Sequence, residues 1–210
     1  VQKYLQSQRV TTVGRPSSPF SIRSNTWALD ASTHPVKHAR LALRGPVHSS
    51  NTRKVWCALL PENTVTTNNV TTLVFDSDDR ILQGYVMGVL NSGVIDWYGH
   101  LKINLYLNFF ILYTIPVPVY VQENPTCTRI AELARRLSIV PGLKYGNWGK
   151  GINPIITPRE RESAIAEIDA LLWEYMELPE KFLSLVFDGR STRSSLADVD
   201  SFLVKGSYKS

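Results

Sequence analysis

Between residues 80 and 91 the chain carries an apolar helical pattern interrupted by two glycines, and that pair constrains the fold more than any other feature. Leu82, Tyr85, Val86, Val89 and Leu90 recur at three- and four-residue spacing, the repeat of a single helix face. Gly84 and Gly88 lie four apart, hence one above the other on that helix. Each glycine costs a helix interior about 1 kcal/mol relative to alanine, so its presence points to another backbone lying close against it. The expectation is a helix with a second element laid along the glycine stripe.

The segments before this helix read as strands. Residues 39–44 alternate in the period-two manner, with Ala39, Leu41 and Leu43 on one face and Arg40, Ala42 and Arg44 on the other. Gly45-Pro46 turns the chain. Residues 55–60 are an apolar run ended by Pro61, and residues 70–75 form a third strand candidate before the polar turn Asp76-Ser77-Asp78-Asp79. After the helix come Asn91-Ser92 and Asp96-Trp97-Tyr98. The apolar stretch 106–115 is expected to be a strand whose exit, at Pro116 and Pro118, lies at a sheet edge or in an extended segment.

Two further helices are marked by their starts. Asn124-Pro125 places a cap and a first-turn proline ahead of a helix to about residue 138, with Ile130, Leu133, Ala134 and Leu137 as its stripe. Thr157-Pro158-Arg159-Glu160 is a capping box, and its helix is expected to turn Ile165, Ile168, Leu172 and Tyr175 to one side. A Gly/Asn-rich loop with Tyr145 and Trp148 separates the two, and a short helix is expected over residues 179–187. The fold class is α+β: a mixed or antiparallel sheet with packed helices and a helical C-terminal subdomain. Residues 1–36 read as a linker or extended arm, with Trp27 and Leu29 opening the folded part. Residues 37–122 read as the sheet-containing core, 123–188 as the helical subdomain and 189–210 as a flexible Ser-rich tail.

Charge divides unevenly. Residues 1–60 hold nine Lys/Arg and one acidic residue, while residues 61–210 hold fourteen and seventeen. That asymmetry points to an anionic partner for the N-terminal side, nucleic acid first, against the plainer reading of a solvated basic face. Cys57 and Cys127 are isolated and suit a reducing, cytoplasmic setting without disulfides. The apolar run 103–121 is broken by Asn104, Asn108, Pro116 and Pro118, which makes it a poor membrane span. Val1 in place of Met fits a piece of a longer protein.

Familiar catalytic signatures are absent from the 210 residues: no Gly-x-Gly-x-x-Gly loop, no phosphate-binding Gly-Lys-Ser/Thr turn, no His-Glu-x-x-His and no Gly-x-Ser-x-Gly. His34 and His38 are four apart but have no third ligand type nearby and no helix pattern to align them, and with His48 and His100 scattered no metal site is expected. Recognition chemistry remains. The loop after Arg44 supplies His48, Ser49, Ser50, Asn51, Thr52, Arg53 and Lys54. Arginine presents a planar fork to guanine or phosphate, asparagine pairs with adenine, and Ser, Thr or Lys reaches phosphate. A polar hairpin facing water is the alternative. Asn91, Ser92 and Asp96 are expected to tie the helix end to loop backbone, with direct DNA contact as their other reading.

This order of elements resembles the target-recognition region of adenine-specific DNA methyltransferases of restriction-modification systems, type IIG fusions included. Arg44 is similar to the family's arginine-bearing strand, and Asn51-Thr52-Arg53 to its Asn-x-Arg-Thr element, with Lys54 in place of the final Thr. Residues 55–60 and Pro61, then Leu90-Asn91-Ser92 and Asp96-Trp97, follow in the family's order. So do Leu107-Asn108-Phe109-Phe110, Ile115-Pro116-Val117-Pro118 and Ile168-Asp169-Ala170. The resemblance spans residues 38–188 and omits the methyl-transfer half: Asn153-Pro154-Ile155-Ile156 lacks the second proline and the aromatic of the catalytic motif.

The resemblance implies duplex DNA as ligand, contacted by Arg44, Ser50, Asn51, Arg53 and Lys54, with Arg40 and Lys102 on the DNA backbone. It implies that this chain binds without catalysing and holds no cofactor itself. A methyltransferase catalytic domain, in cis or in trans, would use S-adenosylmethionine and act on a flipped adenine. The parent would be a site-specific DNA adenine methyltransferase, with or without endonuclease activity. The rivals are a separate specificity subunit that docks catalytic partners, a nuclease using acids such as Asp76 and Asp96, and a protein-only interaction module.

Overall fold

The computed structural model describes residues 11–12, 38–48, 51, 53–67, 69–75, 79–183 and 186. Apart from Thr11 and Thr12, the expected arm 1–36 lies outside them. So do the tail 189–210, the acidic turn residues Asp76 and Asp78, and Ser49, Ser50 and Thr52 of the basic loop.

The fold is α+β. Strands β1 (Thr11–Thr12), β2 (Arg40–Arg44), β3 (Cys57–Leu60) and β4 (Val70–Val74) form one antiparallel sheet in the order β1-β4-β2-β3. β2 is flanked on both sides, Leu41 facing Leu59 of β3 and Leu73 of β4. It is covered on both faces as well. Leu41 and Leu43 are fully buried on one, and Arg40 and Ala42 are nearly so on the other. The alternation in the sequence thus marks which way side chains point; it does not mark one wet face.

Helix α1 (Arg80–Leu90) starts at Asp79, whose carboxylate accepts the Ile81 and Leu82 amides at 2.9 and 3.0 Å. Helix α2 (Gly93–Lys102) follows after two residues and is capped by Ser92. Helix α4 (Pro125–Ser138) is capped by Asn124 through the Thr126 and Cys127 amides. Helix α5 (Pro158–Tyr175) opens at Thr157, whose hydroxyl accepts the Glu160 amide and donates to the Glu160 carboxylate. In the expected box Glu160 would instead reach the Thr157 backbone.

The glycines of α1 do what their spacing predicts. A Cβ on Gly84 would sit 2.9 Å from the Ala131 carbonyl oxygen, and one on Gly88 would sit 2.6 Å from Ile130 Cγ2. Both contacts come from α4, so the two helices approach to a distance that only glycine allows. Tyr85, Val89, Ile130, Leu133, Ile168 and Leu172 all join the same cluster of buried side chains as Leu41 and Leu43. The close α1–α4 contact therefore runs across the boundary expected near residue 122.

The strand expected over residues 106–115 is not formed. Tyr106 makes a single bridge to Pro46, and a one-turn helix α3 (Phe109–Leu112) replaces the rest. The bridge is closed by Val47 N–H on Leu105 O and Leu107 N–H on Gly45 O, with Pro46 and Tyr106 as its non-hydrogen-bonded pair. The proline segment beyond it carries no strand of the sheet. Its carbonyls are taken by tyrosines: Thr114 O by Tyr98, Pro118 O by Tyr85 and Val119 O by Tyr175, at 3.1, 3.2 and 2.8 Å.

Candidate functional site

The segment between β2 and β3 is fastened to the α1–α2 corner by two side chains. Asp96, in the first turn of α2, accepts the backbone amides of Lys54 and Val55 through Oδ1 at 2.7 and 3.0 Å. Asn91, just past α1, uses both ends of its amide on Cys57, accepting from N–H at 3.0 Å and donating to C=O at 2.7 Å. That double bond extends β3 by a side chain in place of a strand. Gly99 completes the seat: a Cβ there would lie 2.8 Å from Val55 Cγ2 and 3.1 Å from Lys54 Cβ. The tie expected of Asn91 and Asp96 is thus present, and its target is the basic loop itself. Ser92 instead serves α2, accepting the Ile95 amide and donating to Val89 O.

The seven sequence-predicted contact residues are placed differently from one another. Arg44 is exposed at the end of β2. With the Asn51 amide oriented to satisfy both its ends, Asn51 oxygen accepts from the two terminal nitrogens of Arg44 at 3.1 and 3.2 Å. Arg53 is half-buried, donates to Asn91 O, and sets its Nε 3.9 Å from Asp96 Oδ2. Its guanidinium also lies over the Trp56 ring, 5.6 Å from the centroid. Lys102 is exposed with its ammonium 5.5 Å from the Tyr98 ring centre. Ser50 lies outside the described residues.

Arg40 and Lys54 are different in kind, being 5% and 4% exposed. The Arg40 guanidinium donates to the carbonyls of Thr64 and His38, and burial lowers its pKa. The Lys54 ammonium donates to His48 O at 2.7 Å. In this conformation neither head group is presented to a ligand: Lys54 holds the loop from inside, and Arg40 ties β2 to the segment between β3 and β4. A strand position that looks solvent-facing by alternation is covered here, and no local sequence signal distinguishes that case.

The outward groups share one sign. Across residues 38–60 and α2 the sole acid is Asp96, and its carboxylate is turned inward onto the loop amides. Exposed around it are Arg44, His48, His100 and Lys102, together with Trp56, whose exposure is 47%. His100 Nε2 lies 3.8 Å from Asp96 Oδ2. Trp56, His100 and Gly99 complete the site although the residue pattern did not single them out. Trp56 sits in an apolar run that reads as strand core, so its outward face is invisible without the register of β3.

Other chemistries find less support here. Among the described residues no group of three His, Cys, Asp or Glu is arranged to hold a metal ion. Asp96 spends its carboxylate on two amides and an arginine, and Asp76 lies outside the described residues. Cys57 and Cys127 are both buried free thiols, and burial pushes the Cys57 thiol far up. Among the described residues no helix is long and apolar enough to cross a membrane. Scans against protein-family models, curated proteins and solved structures find no match to this chain.

Proposed function

We propose that this chain is a duplex-DNA recognition domain, the specificity region of an adenine-specific DNA methyltransferase or of a fused restriction-modification enzyme. The observation that carries the reading is the one-signed face of the β2–β3 loop. Arg44 and Lys102 are turned outward, and the Asp96 carboxylate beside the loop is consumed in bracing the backbone. A loop held by its own amides keeps its shape while its side chains meet phosphate and base edges. Arg44 and Asn51, paired edge to edge, are the candidates for base reading. Lys102 is suited to a phosphate, and Arg53 with Trp56 offers a cation and a flat apolar surface beside them. Lys54, Asn91 and Asp96 shape the loop from within, Arg40 braces β2 against Thr64, and Ser50 is a further candidate contact of the same loop.

In this reading S-adenosylmethionine and methyl transfer belong to a catalytic domain in cis or in trans. The loop offers cations and an indole where a bound nucleoside cofactor would call for carboxylates on its ribose hydroxyls, so no step of that reaction is assigned to this chain. The cytoplasm is the compartment that such a role requires.

Fluorescence anisotropy with a labelled mixed-sequence duplex at two salt concentrations tests the proposal. Affinity falls steeply with salt, with a logarithmic slope of about −0.9 for each phosphate neutralised. Arg44→Ala and Lys102→Ala each weaken binding, and Lys102→Ala also reduces that slope by roughly 1. After selection from a random duplex library, Arg44→Ala relaxes preference at one position of the site. Binding that ignores salt, and that survives Arg44→Glu, removes the proposal.

A further inference from the structure

The outer face of α5 carries a second surface of opposite character. The inward stripe of this helix is Ala164, Ile168 and Leu172. Ile165, expected on that stripe, points outward and is 37% exposed. Ile165 and Trp173 stand eight residues apart, two helical turns along one side, and with Leu183 from the following turn they line a groove. Leu183 is 36% exposed. The carboxylates of Glu162, Asp169 and Glu174 border the same groove, and among the described residues no lysine or arginine lines it. Asp169 is half-buried, its carboxylate accepting the Gly93 amide at 2.6 Å, and burial raises its pKa.

We infer that this groove is a docking site for a cationic amphipathic helix of a protein partner, with apolar residues on Ile165, Trp173 and Leu183 and Lys or Arg against Glu162, Asp169 and Glu174. The apolar floor supplies area for burial and the acidic border fixes the sign of the occupant. The same border repels a nucleic acid or an anionic lipid surface. It also repels a second copy of itself, because a two-fold contact would place the three carboxylates against their own images. The inference does not rest on the DNA reading, whose face has the opposite charge.

The probe is a fluorescently labelled peptide of Leu and Lys at helical spacing, compared with a peptide in which Glu replaces every Lys. The full chain binds the Lys peptide at least roughly tenfold tighter than the Glu peptide. Combining Glu162→Lys with Glu174→Lys, two exposed positions, reverses that preference, and Ile165→Asp weakens both peptides. Thermal unfolding establishes that each variant is folded. Equal binding of the two peptides, or a preference untouched by the charge swap, overturns the inference. So does self-association in sedimentation that Ile165→Asp abolishes, since the occupant would then be a second copy. The charge-swapped protein keeps its salt-dependent DNA affinity. Loss of DNA binding in the parent chain would defeat the DNA proposal and leave the peptide result standing.

Discussion

Two junctions of this molecule use opposite chemistry. Where α1 crosses α4, two glycines let backbones meet, and the contact is mainly apolar, with the stem of Arg135 laid against Gly84. Where the β2–β3 loop meets the α1–α2 corner, the contact is made by Asn91, Asp96 and Arg53 on backbone groups. The first junction depends on shape and tolerates no added atom. The second depends on hydrogen bonds to backbone groups, and it leaves the outward side chains of the loop available for other contacts. A recognition loop needs the second kind of support, because apolar anchoring would use the same side chains that must face a ligand.

The largest effect is expected at Asp96. Asp96→Ala leaves two backbone amides without their acceptor and Arg53 without its carboxylate, a loss of about 3–5 kcal/mol. Asp96→Asn keeps an oxygen for the amides and loses only the charge, so it should cost about 1–2 kcal/mol. Urea unfolding of the two variants separates bracing from charge. Equal losses would mean that the ion pair, and not the amide seat, holds the loop, and the contrast between the junctions would then be drawn wrongly.

Gly84→Val tests the other junction. The new side chain meets the Ala131 carbonyl, part of a helix backbone that cannot turn aside, and the cost of such overpacking is about 2–3 kcal/mol. Amide hydrogen exchange distinguishes the outcomes: protection should fall in α1 and α4 together while Lys54 and Val55 keep theirs. If the loop amides open as well, the two junctions form one cooperative unit.

The two junctions differ as much in legibility. Gly84 and Gly88 announced a close helix partner because glycine spacing on a helix is a local signal, and the partner helix declared itself through Asn124-Pro125. The sheet strands were legible for the same reason, as alternation and turn residues are local. The brace was legible only in part. Asn91 and Asp96 stood out as polar residues at a helix end, but their partners at Lys54, Val55 and Cys57 are 34 to 42 residues away. Sequence spacing holds no trace of that distance. Helix α2 was missed because its ten residues are rich in glycine and aromatics, with a weak apolar period. The false strand at 106–115 came from an apolar run of strand length, which pairs only at Tyr106 before Phe109–Leu112 turns into a helix.

Asn91→Ala gives a smaller effect than Asp96→Ala. It removes two hydrogen bonds from a half-exposed position, where water replaces part of what is lost, for a cost of about 1–2 kcal/mol. Its consequence for binding should exceed its consequence for stability, since Asn91 sets the height of β3 and hence of Trp56 and Arg53. Circular dichroism melts alongside duplex titrations compare the two; a variant that melts early yet binds DNA as before separates loop position from recognition.

Asp169 yields the smallest effect and the most specific sign. It sits where the acidic groove meets α2, and burial raises its pKa above the ordinary carboxylate value, opposed by the Gly93 amide and the charge of Arg53. A raised folded pKa means that the native state holds the proton more tightly than the unfolded chain. The stabilisation from that proton is full below the unfolded pKa and is lost as pH rises through the folded one. Asp169→Asn keeps an oxygen on the Gly93 amide and deletes the titration. The stability of Asp169→Asn relative to the unmodified chain should therefore climb as pH goes from about 4 to about 7. Chemical unfolding across that range reads the difference directly. A gap that stays flat, or closes with rising pH, would mean that the helix-terminal amide and Arg53 outweigh burial at this carboxylate, which would make Asp169 part of the polar brace and not of the groove.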